Sequence, residues 1–66
     1  MPFCCDKLKR LRARRKLTQQ ALADRAGLHR VEIARLEAGS RAPTLATLER
    51  LAAVLHCRIA ALCGTN

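Results

Sequence analysis

The sequence predicts an all-α domain of five short helices, and three observations carry that expectation. Only three glycines and two prolines interrupt the 66 residues, so little stops the chain from running helical. β-branched residues are few and scattered, and no stretch alternates at the period of two that a strand needs. Leucine and alanine recur instead at three- and four-residue spacing, one apolar stripe per helix. No internal repeat or low-complexity linker divides the chain, so residues 1–66 read as one domain.

The first helix is expected over Asp6–Arg15, after a mobile tail at 1–5. Asp6 can cap it, and its charge suits the positive end of the helix dipole. Leu8 and Leu11, with Arg12 and Arg15 one turn on, share a face; the rest of the surface is cationic. Leu17 then turns inward and Thr18 caps a second helix over Gln19–Ala26. The Thr18 hydroxyl can accept the Ala21 N–H, but an alanine cannot complete a capping box as a glutamate would. Leu22 and Ala26 form the buried stripe, and Ala23 allows close approach. Gly27 offers a C-cap that tolerates positive φ. Leu28 is a turn residue aimed at the core.

The third helix is expected over His29–Ala38, with Ile33 and Leu36 inward and Gly39 ending it. The loop Ser40-Arg41-Ala42-Pro43 leads to Thr44, the cap of a fourth helix over Leu45–Leu55. Leu45, Leu48, Leu51, Ala52 and Leu55 are expected to supply much of the core. A short fifth helix over Arg58–Leu62 contributes Ile59 and Leu62, and residues 64–66 are expected to fray.

Charge and composition narrow the function. The formal net charge is +8, which favours an anionic polymer or surface as partner. The excess crowds the first quarter, where Lys7, Lys9, Arg10, Arg12, Arg14, Arg15 and Lys16 face only Asp6. One Phe and no Tyr or Trp argue against readers of single strands or RNA, which stack bases on aromatic side chains. The same lack removes the anchors of an interfacial membrane helix. No apolar run approaches the roughly 20 residues of a transmembrane span, and the N-terminus lacks the apolar stretch of a signal peptide. No membrane partner is therefore expected.

The cysteines Cys4, Cys5, Cys57 and Cys63 do not form a secreted disulfide framework, since two are adjacent and the rest of the chain reads as ordinary helices. Reduced thiols in a cytoplasm are the default. A zinc site usually needs spacings such as Cys-x2-Cys, which His56-Cys57 with Cys63 does not offer, so no metal is expected. Cys57 reads as a small buried apolar residue, Cys63 as a thiol at a dimer contact, Cys4 and Cys5 as part of the tail. Catalysis is disfavoured: the two His and five carboxylates fall on separate helices, with no Ser-His pair and no phosphate loop. No cofactor is expected.

The stretch Thr18–Glu37 has a specific logic. Two short helices meet at a tight turn marked by Gly27; Ala23 and Ala26 let them approach, and Leu28 and Ile33 lock the second against the first. The outer face of the third helix is left projecting, and a major groove is wide enough to accept one helix.

Here the sequence resembles the XRE family, the Cro and phage-repressor type of helix-turn-helix protein with a lambda-repressor-like fold. The resemblance runs from about Leu8 to Leu62. It rests on Leu17-Thr18-Gln19, Leu22-Ala23 with Ala26-Gly27, and Ile33-Ala34-Arg35-Leu36-Glu37, then Gly39, Pro43, Leu48, Leu51-Ala52 and Leu55. It implies a third helix that reads bases. Arg30, Val31, Glu32 and Arg35 occupy the base-facing positions. Arg can fork onto guanine, Glu can accept from cytosine N4, and Val can touch a thymine methyl. For Glu32 an intrahelical pair with Arg35 is the competing role, because a carboxylate near phosphates is costly. The resemblance also implies phosphate contacts from Thr18, Gln19, His29, Ser40 and Arg41, and a structural ion pair between Arg12 and Glu37.

Two departures stand out. His29 replaces the usual Ser or Thr cap of the recognition helix, so that start is expected to be looser. His56 stands where the family usually has Gly after the fourth helix, which calls for positive φ at a non-glycine residue. The expected function is sequence-specific binding of double-stranded DNA by a dimeric repressor in a bacterial or phage-derived cytoplasmic setting, nucleoid-associated. Dimerisation is expected through Val54, Leu55, Ile59 and Leu62. The alternative is an antitoxin or accessory module whose main role is to bind a toxin or other protein partner, which an exposed apolar strip on the last two helices would favour.

Overall fold

A computed structural model of the protein describes residues 2–64. Four α-helices form: α1 (Cys5–Arg14), α2 (Gln19–Ala26), α3 (Arg30–Ala38) and α4 (Leu45–Leu55). The expected fifth helix is one turn of 3₁₀ helix, Ile59–Leu62. It is too short to close a second α-turn before the chain extends at Cys63. α2 packs on α3 and α4, α1 on α3 and the 3₁₀ turn, and α4 on the 3₁₀ turn.

All four α-helices end in the same way. In each, the residue after the last turn takes left-handed φ and donates its N–H back, while the next N–H reaches one turn further. Leu28 N–H meets Ala23 O at 2.8 Å and Ser40 N–H meets Arg35 O at 3.1 Å. Leu17 N–H meets Arg12 O at 3.2 Å and Cys57 N–H meets Ala52 O at 3.0 Å. This Schellman closure satisfies carbonyls that would otherwise be orphaned, and it turns the following residue back towards the body. Leu17 and Leu28 accordingly join the core or pack against it.

Glycine supplies the left-handed residue at Gly27 (φ 71°) and Gly39 (φ 77°), but Lys16 (φ 55°) and His56 (φ 52°) supply it at the other two ends. The expectation at His56 is met. Lys16 carries no such mark in the sequence, because nothing in a lysine announces left-handed backbone. A left-handed residue with a Cβ costs about 1–2 kcal/mol, and a glycine loses about 0.5–1 kcal/mol more chain entropy on folding. His56→Gly should therefore raise stability by up to about 1 kcal/mol, or a few degrees in Tm. A lower melting temperature would show that the imidazole makes contacts outweighing the strain.

The core gathers one or more residues from every element: Leu8, Leu22, Ile33, Leu51, Leu55 and Leu62 are essentially inaccessible. Leu45 is the exception to its expected stripe, at 65 % exposed. At about 100° per residue it lies about 70° round the axis from the middle of the face made by Leu48, Leu51, Ala52 and Leu55.

Residues 2–5, expected as a mobile tail, are joined to the other end of the chain. Phe3 pairs with Cys63 in an isolated antiparallel bridge. Cys4 N–H donates to Leu62 O at 2.8 Å and Gly64 N–H to Pro2 O at 2.7 Å. Phe3 packs against the core, which gives a physical reason for the attachment: a half-buried ring draws its flanking backbone onto the body. α1 thus starts one residue early, with Cys4 and not Asp6 at its cap. The frayed end expected over 64–66 lies, apart from Gly64, outside the described residues, as does Met1. Among the described residues no helix is long and apolar enough to cross a membrane.

Candidate nucleic-acid interface

α3 is held by its inner face and open on its outer face. Ile33, Leu36 and Glu37 are buried, whereas Arg30, Val31 and Arg35 are exposed, Val31 at 50 %. Half-exposure of a valine between two arginines leaves a solvated apolar group at the centre of a cationic ridge. His29 is the cap residue of α3 and not its first turn. Its backbone N–H donates to Glu32 Oε1 at 3.4 Å. Glu32 therefore turns one carboxylate oxygen back onto the start of its own helix, where the helix dipole favours it, rather than onto Arg35. The start is braced by a residue three positions on, which offsets the absence of a Ser or Thr at 29.

One buried network fixes α3 relative to α1 and α2. The Arg12 guanidinium forks onto Glu37, with Nε to Oε2 at 2.5 Å and Nη2 to Oε1 at 2.9 Å. Its third donor, Nη1, reaches Leu17 O at 2.8 Å. Gln19 Nε2 donates to Glu37 Oε1 at 3.2 Å. Glu37 is 3 % exposed and Arg12 21 %. The hydrogen bond to Glu37 raises the Arg12 pKa further, against the opposing pull of burial. The pair joins α1 to α3 as the sequence implied. The two further partners, Leu17 O and Gln19, were not legible, because a fork with three donors can be filled in several ways and only the packed turn decides.

Gln19 thus sits half-buried at the first turn of α2, its amide drawn partly towards Glu37. Thr18 accepts the Ala21 N–H at 3.0 Å, so its oxygen caps α2. Ser40 Oγ donates to Arg35 O at 3.2 Å. Ser40 helps close α3, and Arg41 beside it is exposed. The start of α2, the outer face of α3 and the loop after it are thus tied together by Glu37 and by the end of α3.

The four residues expected at a dimer interface divide. Leu55 and Leu62 are 2 % and 0 % exposed within the single chain, so they are already spent on its own core. Val54 and Ile59 are half-buried and keep some surface. Among the described residues the large apolar side chains left exposed are Val31 and, at the start of α4, Leu45.

The cysteines are placed differently from expectation. Cys63 is buried at the bridge to Phe3, not at an outer contact, and Cys5 belongs to the first turn of α1. No disulfide joins the four. Cys57 is half-buried; burial pushes its thiol pKa up, against a smaller opposing pull from the Arg15 charge. Among the described residues no three His, Cys, Asp or Glu side chains converge.

The model of the helix-turn-helix family HTH_3 matches residues 8–62. The immunity repressor protein of Bacillus phage phi105 is 40 % identical over 59 residues, 89 % of this chain and 41 % of the repressor. The chain therefore spans about two fifths of that relative's length. Among solved structures, the restriction-modification controller protein from Aeromonas hydrophila is similar at a TM-score of 0.85 and 31 % identity, with 88 % of each chain covered. The hydroxypropylphosphonic acid epoxidase of S. wedmorenis is similar at a TM-score of 0.80 and 34 % identity, covering 91 % of this chain and 32 % of the epoxidase. One fold thus occurs in regulators and as part of an enzyme, and function has to be argued from the site.

Proposed function

Since the chain belongs to the HTH_3 helix-turn-helix family, we propose that it binds duplex DNA sequence-specifically and regulates transcription, as a dimeric repressor on a pseudo-palindromic operator. The observation that carries this reading is the outer face of α3: Arg30, Val31 and Arg35 exposed on a helix whose opposite face is locked by Ile33, Leu36 and the buried Glu37. A rigid helix with two guanidinium groups and one apolar group on its free side suits the major groove, where arginine reads guanine and a methyl-bearing side chain reads thymine. Arg35 and Arg30 are the primary readers. Glu32, turned back to its helix start, serves the reading head as a brace and keeps only one oxygen for a base.

Around that head, Thr18, Gln19, His29, Ser40 and Arg41 contact phosphates and set the register of α3 on the duplex. The start of α2 adds backbone N–H groups that favour an anion. Val54 and Ile59 supply the two-fold contact, and two copies would place their half-sites about one helical turn apart. The resemblance to a phage immunity repressor and to a restriction-modification controller supports a regulator that acts by occupying its own site.

The test is selection of bound duplexes from a random pool at moderate salt, with the mass of the complex recorded. A two-fold symmetric motif bound by two copies is the expected result; salt-sensitive binding without any enriched motif would defeat the reading. The logarithm of affinity should fall with the logarithm of salt by roughly 0.9 per phosphate neutralised, and a flat response would remove the electrostatic contribution. Gln19→Ala should weaken every duplex by a similar, several-fold factor. Its melting temperature is measured alongside, because the amide also touches Glu37. A loss confined to one sequence would contradict the phosphate role.

A further inference from the structure

α1 carries a second cationic surface that the DNA reading does not use. Lys7, Arg10, Leu11 and Arg14, together with Ala61 of the 3₁₀ turn, line a shallow cleft of about 240 Å³. At about 100° per residue these four positions of α1 fall within roughly one quarter of its circumference, and Arg12, which faces α3, lies about 150° away. The cleft therefore opens on the side of α1 turned from Glu37 and the reading head. Its floor is apolar, made by Leu11, which packs partly on the core, and by the exposed Ala61. Its rim is basic. Lys7 Nζ donates to Cys63 O at 2.8 Å, which fixes one cation of the rim, and an ammonium has two further N–H donors.

We infer that this cleft docks an acidic segment of a partner protein, with carboxylates on Lys7 and Arg14 around one apolar side chain seated on Leu11 and Ala61. Three features choose that occupant. The volume is below the roughly 300 Å³ at which pockets begin to hold whole small ligands, and suits a single aliphatic side chain. An apolar floor gives nothing to a phosphodiester backbone, whereas an amphipathic acidic helix uses floor and rim together. A second copy of this chain has no acidic face to offer, since its five carboxylates are scattered and Glu37 is buried. With α3 turned the other way, the protein can hold DNA and such a partner at once. This goes beyond the DNA reading and does not require it.

The experiment uses the full chain and a fluorescein-labelled synthetic helical peptide with glutamates around one central leucine, followed by anisotropy. Binding is expected to weaken about tenfold in Arg14→Glu and in the peptide whose leucine is serine, and to be unchanged in Arg25→Glu, an equal charge change on another helix. Melting curves confirm that each variant folds, and binding of random-sequence duplex is measured in parallel. A ternary complex of peptide, protein and duplex supports the inference. Equal losses in Arg14→Glu and Arg25→Glu, no peptide binding, or displacement of the peptide by duplex overturn it. Loss of duplex binding in Arg14→Glu with no peptide bound would reassign the cleft to phosphate, without touching the α3 reading.

Discussion

Replacing Arg12 by alanine should cost about 3–5 kcal/mol of folding stability. Glu37 is 3 % exposed and loses both arms of the fork with that one side chain, while the turn at Leu17 loses the guanidinium N–H that its carbonyl accepts. Among the described residues only the Gln19 amide remains on the carboxylate, too little for a charge removed from water. A domain of this size has a total stability near the low end of the usual 5–15 kcal/mol, so the variant should sit close to the edge of folding, with Tm lower by more than about 10 °C. Thermal and urea melts followed by circular dichroism read this directly. Replacing both partners with apolar residues, Arg12→Met with Glu37→Leu, should recover most of the loss, because the cost lies in stranding one charge rather than in lacking a pair. A loss under about 1 kcal/mol in Arg12→Ala would mean that the pair behaves as a surface bridge.

Arg35→Ala is expected to act on recognition alone. Arg35 is exposed, and the atom of it that the fold uses is its carbonyl oxygen, which accepts from Ser40; alanine keeps that oxygen. Folding stability should stay within about 0.5 kcal/mol. Discrimination at one base position per half-site should fall by about 1–3 kcal/mol, roughly 5- to 150-fold, with the other positions of the selected motif unchanged. Arg41→Ala provides the contrast, lowering affinity for all duplexes and reducing the salt slope by about one phosphate. An unchanged base preference in Arg35→Ala would remove Arg35 from the readers and leave Arg30 and Val31 to carry specificity.

The residues that made the fold legible are those whose chemistry allows few alternatives. Gly27 and Gly39 marked two helix ends because left-handed backbone is cheap only there, and Thr18 and Thr44 marked two starts because a hydroxyl can accept from the third residue of the helix. The free face of α3 followed from its spacing: Ile33 and Leu36 go inward, so Arg30, Val31 and Arg35 go outward. The ion pair of Arg12 with Glu37 came from resemblance and not from spacing, since 25 residues separate the two.

Local pattern by itself determined the all-helical class, the span of α2 and α4, the turn between α2 and α3, and which residues of α3 stay free, because each depends on contacts within a few residues along the chain. Tertiary packing alone decided the rest. Phe3 needed the body to pack on before residues 2–5 could pair with Cys63, and Lys16 accepted left-handed backbone only because Leu17 is drawn into the core. Leu62 turned inward, and Leu45 outward, because the single chain's core had room for some leucines of an apolar stripe and not for others. Glu32 found its helix start and Gln19 found Glu37 for a common reason. A long polar side chain has several partners within reach, and its choice is fixed only when the surrounding backbone has been placed.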